Sequence, residues 1–550
     1  MNTKSLKKAV IAAAAALAMT ACSASGSSAA ASGSSAHAAE ITVALNAQFT
    51  TLDPALNTET INNHVLQSIY STLFVKDADN VAQYGVCSDY TVSDDGLVYT
   101  FTLRDDVVWT DGTPVTAYDF EYAMLRALSY GADNAFAINN LNSFVAGAAD
   151  YSANALAVGE SFDCTVEENT TGIKAIDDTT LEITLCTPCA YLTGLMASGA
   201  WTAVPQSTPQ HDSTWSMTAG YVTNGAYTLD EFSENEAAVL VKNDSWYDAD
   251  TITMDKITYQ VMTDDNAQDI AFKSEEIDVA TKVATDTALG YVDTDTLWLI
   301  STPINYFLAI NSGSTGPEWA KNVNVRKALA MAINRDEIVS VLGAEFYPTI
   351  EGYVPYGMGG NDGDYREEGD ATANHPQYDP EAAKELLAQE GYDESNPLTI
   401  TYKYSNNGVH GDVATVLEQQ WEAIGVNVEF AAVESGVFYD QLDQGDFEIA
   451  RYGLSATDSP MQFLDIWTTG MQVVAAVDDE TYNQMVSDAK YIVDSEEYIN
   501  ALHDAEAYLY DENVYVIPLF QNTSQYLVAD GLKGYTMHGA YAWYGNAYWE

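Results

Sequence analysis

The stretch Ser93–Ala127, SDDGLVYTFTLRDDVVWTDGTPVTAYDFEYAMLRA, decides the fold. Leu97, Tyr99, Phe101 and Leu103 alternate with Val98, Thr100 and Thr102, the period of a strand with one face in a core. Asp94-Asp95-Gly96 and Asp111-Gly112 are turn signals. Thr116 then caps a helix, with Asp119 three residues on and apolar Phe120, Ala123, Met124 and Ala127 behind it. The reading is strands, a turn and a helix start.

Working outward, strand-like Ile41 onward leads to Leu52-Asp53-Pro54 and a helix through Asn63 to Leu73. Ile173–Leu185 reads as a hairpin with an Asp-Asp turn. Asn324–Asp336 carries apolar residues at helical spacing, with Asn334 as a stop. Gly352–Pro376, rich in Gly, Asp and Asn, is expected to be a long surface loop. Pro380–Gly391 is an amphipathic helix with Pro in its first turn. Strands at Leu398–Tyr404 and Val426–Phe430 alternate with a helix at Gly411–Ile424, so this part is α/β.

The wording of these stretches resembles one family, the extracytoplasmic peptide-binding proteins of ABC importers (solute-binding protein family 5). Its signature runs S-D-D-G-x-x-Y-T-F-x-L-R, then W-x-D-G-x-P-V-T-A-x-D-F. Trp109, Asp111, Gly112, Pro114, Val115, Thr116, Ala117, Asp119 and Phe120 match it. So do the L-D-P element, the hairpin, the N-G-x-Y element at Asn224-Gly225-Ala226-Tyr227, and V-R-x-A-L-x-x-A-I-x-R from Val325. Ile270–Val279 follows the family's F-x-S-G-E-I-D, with Glu275 where glycine is usual. The resemblance covers Glu40–Glu550. It implies a bilobal α/β fold of the type II periplasmic-binding-protein kind (cluster C) with an extra N-terminal subdomain. Lobe I would take 40–80, 201–300 and the return 518–550; the extra subdomain 81–200; and lobe II 301–517.

The first residues read as an address. Lys4, Lys7 and Lys8 precede an apolar run from Ala9 to Leu17, then Met19-Thr20-Ala21-Cys22. This is a lipoprotein signal over 1–21, leaving Cys22 as the lipidated N-terminus on the outer cell surface or in the periplasm. Residues 22–39 are low complexity, a flexible tether. The remaining chain is too long for one core, so two or more lobes are expected. Net charge is −59, from 21 basic and 80 acidic residues, and −62 without the leader lysines. Such a polyanion excludes charge-driven binding to nucleic acid or anionic lipid. Cys87, Cys164, Cys186 and Cys189 permit disulfides in an exported protein. The C-x-x-C at Cys186–Cys189 has neither thioredoxin-like context nor a second pair to complete a zinc site.

Folds of this kind bind in the cleft between lobes, where an extended ligand pairs its backbone with the protein's and charged anchors set its register. The resemblance places Thr58, Glu59, Asn224 and Tyr306 at cleft positions. In Ala450-Arg451-Tyr452-Gly453-Leu454-Ser455-Ala456-Thr457-Asp458, Arg451 and Gly453 match the family's R-x-G-W segment and Leu454 replaces the Trp. The family's Asp-Tyr anchor for the ligand ammonium is absent; Asp458 lies one or two residues late, either a displaced anchor or a loop-capping Asp. Ser455 belongs to the same candidate segment. His410 and Arg451 are candidates for the ligand carboxylate, against a surface histidine and an internal ion pair.

The resemblance implies a monomeric, cofactor-free, non-enzymatic receptor that takes oligopeptides to an ABC permease and its ATPase subunits. The alternatives are a same-fold receptor for a nickel chelate, haem or oligosaccharide, a peptide sensor or chaperone, and, remotely, a secreted hydrolase. G-x-S-x-G and H-E-x-x-H are both missing.

Overall fold

The computed structural model describes residues 39–550 apart from 79, 131–134, 457–458, 470–475 and 539–540. The leader, the tether, Cys22 and Asp458 therefore lie outside the described residues.

The opening stretch folds as its pattern dictates. Strands Cys87–Val92 and Val98–Leu103 join Thr180–Thr184 and Ile173–Asp177 in a four-stranded antiparallel sheet. Tyr99, Phe101 and Leu103 enter the core while Thr100 and Thr102 face outward. The turn is pinned by backbone bonds, Gly112 N–H to Trp109 O and Trp109 N–H to Thr113 O, both 2.8 Å. Thr116 starts helix Ala117–Ser129 in a capping box. The Asp119 carboxylate accepts from Thr116 N–H at 2.8 Å, Thr116 Oγ1 at 3.0 Å and Trp109 Nε1 at 3.3 Å. Trp109, Thr116 and Asp119 thus hold strand, turn and helix together.

A ten-stranded sheet spans the rest. Its order is Asn427–Val433, Thr399–Ser405, Ile449–Ser455, Leu297–Ile310, Val516–Val528, Val279–Ala280, Glu40–Leu45, Lys256–Val261, Ala237–Lys242 and Tyr227–Ser233. Two large cores form on it. One gathers Val43, Phe101, Trp109 and Leu240; the other gathers Phe307, Trp421, Ile449 and Phe520. The chain is thus bilobal and α/β, with the four-stranded subdomain sharing the first core. Among the described residues, the two long central strands are the ones that run from one core to the other. Their ladder holds from Leu297–Leu527 to Ser301–Thr523, breaks, and resumes from Asn305–Gln521 to Ala309–Val516 with a smaller shift of register between Tyr306 and Phe307. Ile517, Leu519 and Phe520 sit in the second core.

The L-D-P element proves to be a joint between the first lobe and its subdomain. Asp53 and Arg126 are completely buried. Arg126 donates from Nη1 to Asp53 Oδ1 at 2.9 Å and from Nη2 to Oδ2 at 2.5 Å, and Trp215 Nε1 adds a bond at 2.7 Å. Arg126 Nε reaches Pro209 O at 2.9 Å. Each charge is surrounded by partners, which is what makes its burial tolerable.

Two expectations are corrected. Gly352–Pro376 is not a surface loop: Tyr353, Val354, Met358 and Tyr365 are core residues, and a short helix runs over Tyr365–Asp370. Glu506 Oε1 accepts the Tyr353 and Val354 N–H groups at 2.7 and 3.0 Å, so the irregular backbone is buried without loss. Asn334 does not stop a helix; it starts the next, Arg335–Leu342, its side chain accepting from Glu337 N–H. Among the described residues no disulfide forms, and three of the four thiols, Cys87, Cys164 and Cys189, are buried.

Glu275 explains why glycine is usual at its position. Its φ is +60°, the left-handed region where a Cβ is strained. Glu275→Gly is expected to stabilise the protein by about 0.5–1 kcal/mol, read as a higher urea midpoint with unchanged slope. Arg126→Met should cost about 3–5 kcal/mol by stranding the Asp53 carboxylate. A loss below 1 kcal/mol in the same assay would show that Asp53 finds water or another partner.

Candidate ligand-binding cleft

The candidate residues of the second lobe meet where its strands reach the ladder break. Tyr306 pairs with Gly453 and Ile304 with Ser455 on neighbouring antiparallel strands. His410 opens helix His410–Ala423, just after strand Thr399–Ser405. Tyr306 Oη and His410 Nδ1 are 3.1 Å apart, and the Tyr306 ring stacks on Phe520 at 4.5 Å. Gly453 and Ser455 are exposed beside them. A Cβ on Gly453 would come within 2.9 Å of Asn305 O, so glycine keeps the strands close here.

Arg451 is the charge of this group. Its guanidinium lies 4.5 Å from the Phe438 ring centroid and 5.6 Å from that of Tyr439. Nη2 donates to Ser405 Oγ. The residue is 7% exposed, and its Nε is buried with no acceptor. Among the described residues no carboxylate lies within ion-pairing distance of it. Arg326 and Arg335 are also buried, but they donate to main-chain carbonyls of Asn513, Ala320 and Pro518. Arg451 alone of these three combines a buried cation with an unused donor, the arrangement that suits an anion from outside the chain.

His410 is not a second cation. Burial first, and then the positive charge of Arg451, lower its pKa to about 4. At neutral pH it is a neutral ring bonded to Tyr306.

Thr58 and Glu59 lie exposed in the first lobe, immediately before helix Thr60–Ile69. Glu59 N–H donates to Asn57 Oδ1 at 3.0 Å, an Asx turn that presents the segment. Asn224 leaves the candidate set. It is fully buried, its Oδ1 accepts from Ser71 N–H at 2.9 Å and its Nδ2 donates to Ser71 O at 3.2 Å, so its amide is spent. Beside it Gly225 lets two segments touch: a Cβ there would sit 2.3 Å from Ile69 C. The N-G-x-Y element is therefore architectural. Asp458 lies outside the described residues. Next to it, Ser459 Oγ and Tyr498 Oη are 2.9 Å apart.

Sequence reading missed Ser405, Phe438, Tyr439 and Phe520 around these groups. Ser405 had a signal, being the last residue of its strand before the His410 loop. The three rings had none, since aromatic residues in so large a chain are mostly core. Among the described residues no cluster of His, Cys, Asp and Glu could hold a metal ion, and no helix is long and apolar enough to cross a membrane.

His64, His410 and His538 are all lowered to about 4 by burial. A lowered folded pKa contributes stability that is present above the unfolded value near 6.5 and lost as pH falls toward 4. The urea midpoint is expected to fall across that window, and less steeply in His410→Gln. Equal slopes for variant and wild type would mean that His410 titrates normally.

The profile described as bacterial extracellular solute-binding proteins, family 5 Middle, matches residues 82–473. The chain is 28% identical over 497 residues to the dipeptide-binding protein DppE of Bacillus subtilis, covering 89% of this chain and 88% of DppE. It is 26% identical over 525 residues to the oligopeptide-binding protein OppA of the same organism, covering 93% and 92%. Among solved structures, the murein tripeptide binding protein MppA in its unliganded open form superposes with a TM-score of 0.81 at 22% identity, covering 94% of this chain and 98% of MppA. Peptide-bound OppA of Listeria monocytogenes gives 0.63 at 21% identity, covering 93% and 99%. These likenesses give the fold as that of a bilobal type II periplasmic-binding protein.

Proposed function

The chain belongs to the bacterial extracellular solute-binding proteins of family 5, and from that we propose that it captures oligopeptides between its lobes and delivers them to an ABC permease and its ATPase subunits. Its place is outside the cytoplasm, held to the membrane by lipid on Cys22, and its action is binding without catalysis. The observation that carries the reading is Arg451: a buried guanidinium with an unused Nε and no carboxylate partner among the described residues, in a chain of net charge −59.

In this reading Arg451 takes the ligand carboxylate. Tyr306 and neutral His410 flank it, and the exposed strand residues Gly453 and Ser455 pair with an extended ligand. Thr58 and Glu59 face it from the first lobe, and Asp458 serves the ligand ammonium. The relatives named for peptides support the ligand class. A non-peptide solute on the same scaffold is the second reading. Leu454 in place of the family's Trp and the missing Asp-Tyr pair favour it.

Native mass spectrometry of the protein before and after mild denaturation tests the two together. Released peptides with free termini are expected; a retained non-peptide adduct would overturn the peptide reading and keep the fold. Arg451→Ala and Asp458→Ala should each weaken binding of the recovered peptide by about 1.5–3 kcal/mol, the range of a charge-assisted hydrogen bond. Calorimetry showing unchanged affinity in both variants would remove the two-anchor arrangement.

A further inference from the structure

The two strands shared by the lobes do not pair continuously. Between Ser301–Thr523 and Asn305–Gln521 one strand carries Thr302, Pro303 and Ile304 against Asn522 alone on the other. A break of this kind bends the ladder and frees backbone groups. It is also the place where the chain passes from one core to the other, so rotation of one lobe against the other turns on it.

Two buried side-chain amides do the work of the missing ladder. Gln521 has no exposed surface. Its Oε1 accepts from Tyr356 N–H at 2.9 Å, and its Nε2 donates to Thr302 O at 2.8 Å and Tyr356 O at 3.0 Å. Asn305, at the opposite corner, is 1% exposed. Its Oδ1 accepts from Leu454 N–H at 3.1 Å, and its Nδ2 donates to Tyr353 O at 2.8 Å. Asn305 ties the break to Leu454, in the strand that carries Arg451, and to the buried segment at 353. Gln521 ties it to Tyr356 and, through Thr302, to the turning backbone itself. Thr302 Oγ1 adds a bond to Asn522 O at 3.1 Å.

We propose that Gln521 and Asn305 are positioning residues of a pivot, and that the Gln521–Thr302 bond holds the resting arrangement of the lobes. The inference rests on reading the cleft as one that closes on its ligand. Turning about 302–304 re-aims the Thr302 carbonyl, so this bond stabilises one arrangement over others. A bond made in one state and not in another is what biases a two-state equilibrium. Asn305 keeps the binding strand in register while the pivot turns.

The test compares two matched substitutions in ligand-free protein, its emptiness verified by native mass spectrometry. Gln521→Met removes the pivot amide at nearly constant volume. Gln268→Met removes an equally buried amide inside the first lobe, where Nε2 donates to Met262 O at 2.8 Å and Oε1 accepts from Lys282 N–H at 3.1 Å. Both should lower the urea midpoint. Only Gln521→Met should shift the small-angle scattering radius of gyration and speed exchange of the Tyr356 amide by about 3- to 10-fold. Gln521→Glu, which keeps the Tyr356 acceptor and loses both donated bonds, should shift the radius in the same direction and covers the case in which Gln521→Met does not fold. A wild-type radius in the Gln521 variants, or an equal shift in Gln268→Met, overturns the pivot. Titration of wild type with trialanine reads the peptide proposal separately, and failure there counts against peptide capture and leaves the ligand-free comparison standing.

Discussion

The pairing of Leu297–Ile310 with Val516–Val528 is the constraint on which the rest of the structure depends. Each strand is long enough to belong to two cores, so each lobe borrows its central strands from the other. A sheet edge left unpaired on either side would expose a row of unsatisfied N–H and C=O groups. The shared pair removes that edge for both lobes at once. It also places the wider of the ladder's two interruptions where the candidate residues Tyr306, Gly453 and Ser455 gather. The break and the candidate residues thus fall at the same place.

The residues that make the family recognisable are, for the most part, not those that would touch a ligand. Trp109, Asp111, Thr116 and Asp119 lock a turn to a helix start. Asp53 joins the first lobe to its subdomain through Arg126, and Asn224-Gly225 clamps the end of a helix to a strand. A buried charge or amide with every partner in place tolerates almost no substitution, because replacing one member strands the others. A floor that recognises generic ligand backbone needs exposed N–H and C=O groups and leaves the side chains beside it free to vary. Leu454, where the family has Trp, stands beside the exposed Gly453 and Ser455.

Electrostatics divide the same way. An excess of acidic residues sets a long-range field that salt screens. Arg451 acts at contact range, where its guanidinium is desolvated over Phe438 and Tyr439 and the field of distant carboxylates counts for little. That position also silences His410: burial and the adjacent cation together hold the ring neutral, so of the two candidates for a ligand carboxylate only Arg451 is charged.

Local sequence determined the elements whose causes are local. The alternation through Leu97–Leu103, the Asp-Gly turns, the Thr116 cap and the α/β alternation after Pro380 could be read because strand period, turn chemistry and capping act within a few residues. Arg451, Gly453 and Tyr306 could be named by resemblance. What became of other segments was decided by contacts more than a hundred residues apart. Asn224 spends its amide on Ser71, and Gly352–Pro376 is drawn inside by Glu506. The pivot is the clearest case. Gln521 and Thr302 are separated by more than two hundred residues, and nothing near either one marks it as the partner of the other. Only the tertiary fold, by laying two long strands side by side and breaking their ladder, turns a buried glutamine into the link between two lobes.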